Sequence, residues 1–175
     1  MNLKKDSGIL PLEFKAAGIS AGLKKSGKKD LALIYSSAPC VASAMFTSNK
    51  ITAAPVEVSK KHLKGSDIRA VIVNSGNANC MTGAQGIKDA LQMAGSAAVG
   101  LSLRDREVLV ASTGIIGRPL PIKDIEAAVP DLVASLSDKG LSDVARAIMT
   151  TDTFPKEVSV KIKAGGKEVV ISGIA

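Results

Sequence analysis

Aromatic side chains are scarce in this sequence of 175 residues, which contains three Phe, one Tyr and no Trp. The core must therefore be built from Ala, Val, Ile and Leu. The scarcity also argues against nucleic-acid binding, because no aromatic residue interleaves with the lysines of the basic segment 24–29 to stack on bases. A formal net charge of +7 can attract phosphates, but we interpret the basic segment as a solvated loop.

Cysteine and histidine are equally scarce. Cys40 and Cys80 lie far apart, with no Cys-x-x-Cys pattern and no neighbouring His, which excludes zinc and thioredoxin-type sites and predicts two reduced thiols. The one histidine, His62, stands between two lysines without an acidic neighbour. We predict that it is a surface histidine and not a catalytic base. The sequence contains no evident pair of nucleophile and base, and no cofactor is predicted.

Long apolar runs are absent as well. Because the sequence has neither a stretch of about 18 apolar residues nor a signal-peptide pattern, we expect a soluble, cytoplasmic protein that does not enter a membrane. Hydrophobic residues make up 46% of the chain and charged residues 22%, which is typical of a globular protein, and the length fits one domain, residues 1–175. The sequence ends at Ala175, directly after the strand-like residues 167–171, and we interpret the chain as one half of a larger protein.

Hydrophobic patterning predicts an α/β (α+β) fold with a mixed sheet covered by helices, because strands and helices alternate in the middle and hairpin-like pairs occupy both ends. The predicted strands are 31–35, 42–46, 56–58, 68–73, 107–111, 156–163 and 167–172. The first two are expected to form a hairpin, and the last two to be joined by a Gly-Gly turn. The predicted helices are a turn near 60–64, a helix 84–99 that stops at Gly100, a helix from Pro121 that breaks at Pro130, and a helix 142–149 capped by Ser142.

Two polar segments follow predicted strands: residues 74–79 (NSGNAN) and 112–117 (STGIIG). We predict that both are loops whose backbone N–H groups and hydroxyls can hold an oxyanion. In the second loop, the Thr113 hydroxyl and the Gly114 N–H can point to one position, because glycine allows close backbone approach. Both loops also have a purely structural interpretation, the first by satisfying its own backbone and the second as a strand-to-helix turn without a ligand.

A third polar segment, residues 150–153 (TTDT), follows the predicted helix 142–149. Its three hydroxyls and one carboxylate can bind the polar end of a substrate. Thr and Asp are also common residues where a helix stops and turns, so this motif alone is weak.

Three motifs carry a resemblance to a known family: residues 73–79 (VNSGNAN), 110–114 (VASTG) and 149–156 (MTTDTFPK). With the segments 14–19, 25–30 and 53–56, they make nearly the whole chain similar to the N-terminal half of the ornithine acetyltransferases, the bifunctional glutamate N-acetyltransferases of arginine biosynthesis. Residues 7–11 and the Cys80-Met81 pair depart from the family pattern without touching the matched sites.

The resemblance implies the DmpA/ornithine acetyltransferase-like αββα architecture, completed by a β chain that self-cleavage of the precursor releases. The nucleophile is then the N-terminal threonine of that β chain, within an α2β2 heterotetramer. Thr113 and Gly114 match the family's oxyanion-hole pair, and Thr150 matches a substrate-binding threonine. The implied reaction moves acetyl from N-acetylornithine to glutamate without a cofactor, and leaves acetyl-CoA open as a second acetyl donor.

Two alternatives stay open. A related self-processing amidohydrolase or aminopeptidase shares the general fold and uses water in place of glutamate as acceptor. A basic nucleic-acid-binding module is compatible with the charge of +7, and its binding would weaken as salt rises.

Overall fold

A computed structural model describes residues 4–6, 8–65 and 67–175, with side chains from Gly8 onward. Its regular elements follow in chain order: β1 (Lys4–Asp6), β2 (Phe14–Ile19), β3 (Leu31–Ser36), α1 (Ala54–Leu63), β4 (Ala70–Asn77), α2 (Gly83–Leu101), β5 (Val108–Ile115), α3 (Ile122–Ala134), α4 (Leu141–Ala147), β6 (Glu157–Ala164) and β7 (Lys167–Ile174). None of the helices in these ranges combines the length and apolar character needed to cross a membrane.

The larger sheet has the strand order β2-β3-β4-β5. β3 pairs antiparallel with both β2 and β4, whereas β4 pairs parallel with β5. A parallel pair needs a long crossover, and α2 supplies it. The smaller sheet, β1-β6-β7, is antiparallel. The prediction of a mixed α/β fold is confirmed.

Aliphatic residues form the core, as the scarcity of aromatics predicts. One face of the larger sheet packs against α1, α2 and α3, with Leu33, Ile72 and Val108 fully buried. The opposite face packs against α4 through a smaller cluster that includes Ala32 and Val144. α4 also contacts β6 and β7, so it lies between the two sheets.

Two predicted strands are wrong. Residues 42–46 form no strand, because both edges of β3 are already occupied by β2 and β4, and Val41 and Met45 are 99% and 100% exposed. Residues 56–58 belong to α1, in which Pro55 occupies the first turn. Proline is favoured there, since the missing N–H has no helical partner at that position.

The helix ends also differ from the predictions. α3 continues through Pro130, which is exposed, so water can satisfy the carbonyl that loses its donor. α2 extends past Gly100 to Leu101, and Ser102, the residue after the helix, has a left-handed φ of 56°. Ser142 does not cap α4, since Gly140 precedes that helix and the Ser142 hydroxyl donates to Glu157 Oε1 at 2.9 Å. The helix 84–99 and the hairpin turn at Gly165-Gly166 are confirmed.

Helix α1 covers the outer edge of β5. The Ser59 hydroxyl donates to the Val110 carbonyl at 2.7 Å and accepts from the Val110 N–H at 2.9 Å. His62 Nδ1 lies 2.8 Å from the Val108 carbonyl oxygen. The surface placement predicted for His62 is therefore wrong, because this residue is only 6% exposed and its ring contacts the backbone at the edge of β5. Pairing of this kind protects an edge strand from association.

We predict that Ser59→Ala lowers the free energy of unfolding by about 1–3 kcal/mol, because it leaves a buried N–H and a buried carbonyl of Val110 without partners. Urea denaturation measures the change. Ser135→Ala is the matched control, since Ser135 is exposed at the end of α3, and it should change stability by less than about 0.5 kcal/mol. Equal effects of the two substitutions would contradict the edge-covering role of Ser59.

Candidate active site

The candidate site lies where the parallel strands β4 and β5 end side by side. In their register Ser75 is opposite Thr113 and Gly76 is opposite Gly114. The ladder continues to Asn77 and Ile115, so residues 74–77 and 112–115 belong to strands, and the prediction that both motifs are loops from their first residues is wrong. The parallel register nevertheless places the two motifs next to each other.

Gly76 and Gly114 stand at positions where the backbone leaves little room for a side chain. Their φ angles of 99° and 137° are positive, which side chains disfavour. A Cβ on Gly114 would lie 2.6 Å from the Asn77 backbone nitrogen, and one on Gly76 would lie 3.3 Å from Lys24 Cγ. Both glycines line an adjacent cavity.

An open cavity of about 780 Å³ lies over the glycine pair. Its walls are residues 23–26, the ends of β4 and β5, the segment that leads into α3, and Thr150 with Thr151. Thr113, Gly114 and Thr150, the three predicted site residues, all line it. They come from two regions of the sequence that are more than 30 residues apart, and the fold brings them to one space. Their individual roles stay predictions.

The cavity wall is cationic. Lys24, Lys25 and Arg118 line it, and among the residues that the structure describes no Asp or Glu does. A concave surface with charges of one sign concentrates ligands of the opposite sign, so this wall suits an anion such as a carboxylate. The sequence shows the lysines as a basic run, but Arg118 carried no signal beyond its place after the second motif.

Lys24 departs from the interpretation of segment 24–29 as a solvated loop. Its ammonium donates to the carbonyls of Lys29 at 2.8 Å, Met149 at 2.7 Å and Ala147 at 3.3 Å. Burial lowers the pKa of Lys24, and the neighbouring Asp30 carboxylate opposes that change. Lys24 is half-buried and hydrogen-bonded to the backbone of the cavity wall, whereas Lys25 and Lys28 are exposed.

The asparagine side chains of the first motif bind backbone. Asn74 Nδ2 donates to the Asn77 carbonyl at 2.9 Å, Asn77 Nδ2 to the Pro119 carbonyl at 2.9 Å, and Asn79 Nδ2 to the Gly86 carbonyl at 2.8 Å. Of these three bonds, only that of Asn74 stays within the motif, as the structural interpretation expects, whereas the other two bind the backbone of neighbouring segments. The motif also reaches the cavity, through Gly76 and Asn77.

Thr150 and Thr151 follow α4 and reach the cavity wall. The Thr150 N–H donates to Asp152 Oδ2 at 3.3 Å, and Lys156 donates to Asp152 Oδ1. The hydrogen bond from Lys156, with that from Thr150, lowers the pKa of Asp152. The ionised Asp152 side chain therefore links Thr150 to Lys156 and stabilises this turn.

The described wall of the cavity holds hydroxyls but neither His nor Cys. His62 lies on the far edge of β5, and both cysteines are free thiols, with Cys40 donating to the Ile68 carbonyl at 2.9 Å. No three His, Cys, Asp or Glu side chains within residues 8–65 and 67–175 are grouped to hold a metal ion. The hydroxyls and cationic side chains of this wall suit an anionic ligand, but no residue on its described part is paired with a base to act as nucleophile.

Curated relatives resemble nearly all of this chain. The arginine biosynthesis bifunctional protein ArgJ of Symbiobacterium thermophilum is 45% identical over 167 residues, which cover 94% of this chain and 42% of that protein. The protein of the same name from Caldanaerobacter subterraneus subsp. tengcongensis is 47% identical over 166 residues, 95% of this chain and 41% of that protein. The chain thus spans about two fifths of the length of the curated relatives it matches.

Solved structures share the fold. The arginine biosynthesis bifunctional protein argJ of Bacillus halodurans is 33% identical with a TM-score of 0.91, and the match covers 99% of this chain and 93% of that chain. Ornithine acetyltransferase of Mycobacterium tuberculosis, solved in complex with ornithine, is 37% identical with a TM-score of 0.93, over 99% of this chain and 94% of that chain. The ArgJ family model matches residues 15–175. That match covers most of the chain and includes every residue that lines the candidate site. This chain therefore belongs to the ArgJ family.

Proposed function

We propose that this chain is the α chain of a glutamate N-acetyltransferase that moves acetyl from N-acetylornithine to glutamate in arginine biosynthesis. One observation carries the proposal beyond family membership. Thr113, Gly114 and Thr150 line one cationic cavity whose described wall has no nucleophile paired with a base. This is the arrangement expected when the nucleophile belongs to another chain.

The lengths of the relatives support a divided enzyme. The curated proteins are more than twice as long as this chain, because the matches cover only 41–42% of them. The solved chains are of similar length to this one, because the matches cover 93–94% of those chains. A precursor that is cleaved into an α chain and a β chain accounts for both lengths. The β chain would begin with the threonine nucleophile.

An N-terminal threonine needs no histidine, because its own α-amine, with a pKa of about 8, accepts the hydroxyl proton. The hydroxyl oxygen attacks the acetyl carbonyl of N-acetylornithine, and a tetrahedral oxyanion forms. The C–N bond then breaks, ornithine leaves with the proton, and an acetyl-threonine ester remains. The neutral glutamate amine attacks this ester, the acyl C–O bond breaks, N-acetylglutamate leaves, and the proton lost by the amine regenerates the threonine hydroxyl. Both oxyanions would accept hydrogen bonds from the Thr113 hydroxyl and the Gly114 N–H.

The cationic wall fits the substrates of this reaction. N-acetylornithine and glutamate each carry an α-carboxylate, and the exposed cations Lys25 and Arg118 line the cavity. Thr150 supplies a hydroxyl for a polar group of the substrate. We include acetyl-CoA in the proposal as a second acetyl donor and not as a cofactor, and we place the enzyme in the cytoplasm.

An apolar face of the smaller sheet supports the proposed partner. Val158, Val160, Ile162, Val169 and Ile171 share one face, because the register sets Val160 opposite Ile171 and Ile162 opposite Val169. Val158 and Ile171 are 43% and 57% exposed. We infer that the β chain covers this face, which completes the αββα architecture within an α2β2 heterotetramer.

Expression of the complete gene tests the proposal. Native mass spectrometry with N-terminal sequencing should find an α2β2 assembly whose β chain begins with threonine, and this assembly should transfer acetyl from N-acetylornithine to glutamate. An active, uncleaved single chain would refute the divided enzyme. Release of free acetate without acetylglutamate would instead favour the related amidohydrolases.

Thr113→Ala in the full-length gene product should lower turnover by about 10²–10³-fold, because one oxyanion donor is lost. Self-cleavage should slow too, since it also passes through a tetrahedral intermediate. Steady-state kinetics measure the loss. Thr47→Ala, the same change at an exposed position away from the cavity, is the control. Kinetics of Thr113→Ala within threefold of wild type would remove Thr113 from the oxyanion hole.

Thr150→Val should lower kcat/KM for N-acetylornithine, because the isosteric side chain leaves a polar group of the substrate unpaired. The expected loss of transition-state stabilisation is about 1–3 kcal/mol. Thr151→Val should have a smaller effect, although Thr151 lines the same cavity. Comparison of the two variants under identical conditions is the measurement. A larger loss in Thr151→Val would assign the substrate contact to Thr151.

A further inference from the structure

We propose that Lys24 is a positioning residue that fixes the substrate-binding segment at Thr150 against the glycine pair Gly76 and Gly114. This inference rests on the proposed function. Lys24 is distant in sequence from the residues that it holds, since its acceptors Ala147 and Met149 follow it by 123 and 125 positions. The ammonium thus links the basic loop to the end of α4.

The geometry matches the donor capacity of an ammonium group. The three N–H bonds of a lysine can serve three acceptors, and the Lys24 ammonium has the carbonyls of Lys29, Ala147 and Met149 within 2.7–3.3 Å. Ala147 is the last residue of α4, and Met149 directly precedes Thr150. Carbonyls at the end of a helix lack helical donors and carry partial negative charge, which favours a cation there.

Lys24 is itself held firmly. Its backbone N–H donates to Asp30 Oδ2 at 2.8 Å, and Asp30 Oδ1 accepts from the Ala21 N–H at 2.6 Å. Asp30 is fully buried, so the start of the basic loop is anchored to the first residue before β3. The Lys24 stem passes over Gly76, where a Cβ would lie 3.3 Å from its Cγ. One side chain therefore lies beside Gly76 and binds the carbonyl of Met149, the residue before Thr150.

These contacts distinguish Lys24 from the other cavity cations. Three protein carbonyls occupy its donors, so it is not available to a substrate carboxylate. Burial lowers the pKa of Lys24, in agreement with an ammonium that has exchanged water for protein acceptors. Lys25 and Arg118 remain the exposed cations of the wall.

Lys24→Met in the cleaved full-length gene product should raise the KM for N-acetylornithine about tenfold, because loss of a charge-assisted hydrogen-bonding group releases the Thr150 segment. kcat should change by less than threefold, since Lys24 does not touch the reacting atoms. The matched control is Lys28→Met, which removes the same charge from the same loop at an exposed residue that does not line the cavity. It should leave both constants unchanged. A KM of Lys24→Met within twofold of wild type, or an equal effect in Lys28→Met, would overturn the proposal.

Lys24→Arg tests the same point in a variant that keeps the charge. A planar guanidinium cannot direct three N–H bonds at carbonyls that converge on one point, so the KM should again rise, by more than threefold. A wild-type KM in Lys24→Arg would show that the positive charge alone is sufficient, and it would overturn the positioning role.

Hydrogen exchange without substrate separates this proposal from the proposed function. Amides of residues 148–153 should exchange at least tenfold faster in Lys24→Met than in wild type, with no change in Lys28→Met. If the wild-type protein transfers no acetyl, the proposed function fails, and exchange still decides whether Lys24 holds this segment. Unchanged exchange in Lys24→Met would show that it does not.

Discussion

The parallel pairing of β4 with β5 is the constraint on which the cavity depends. Parallel strands present their carboxyl ends at one edge of a sheet, and ligands commonly bind there. Here the register pairs Gly76 with Gly114, one step before the last pair of Asn77 with Ile115, so this step of the ladder carries no side chains. Any side chain on Gly114 would collide with the backbone of β4. The same two glycines therefore allow the strands to pair at this step and leave the backbone of the site without side chains.

Close packing of α4 on β2 sets the position of the Thr150 segment. A Cβ on Gly18 would lie 2.6 Å from the carbonyl carbon of Asp143, so α4 rests directly on the backbone of the strand. The buried Ala16 and Ala147 keep this layer thin. A larger side chain at any of these positions would push the end of α4 away from the sheet, and Thr150 with it. The small residues of this layer thus determine where the Thr150 segment lies.

The sequence predicted the elements whose signals are local. The helix 84–99 and the glycine hairpin at 165–166 carry their periodicity and turn chemistry within a few residues. The strand at 42–46 was wrong because strand pairing is decided by which edges are free, and no local pattern records that. The three site residues followed from family motifs, and the structure adds that they share one cavity. The placement of Lys24 was beyond prediction, since two of its three acceptors lie more than 120 positions away.

The cationic wall also bears on the chemistry of a nucleophile supplied from outside. In the proposed enzyme the α-amine of the β-chain threonine must be neutral to accept the hydroxyl proton. Positive charges nearby disfavour the protonated form of an amine, and Lys25 and Arg118, the exposed cations of the wall, line the cavity into which it would project. The same charges attract the carboxylates of both substrates. In the proposed enzyme, one set of cations therefore favours substrate binding and keeps the base unprotonated.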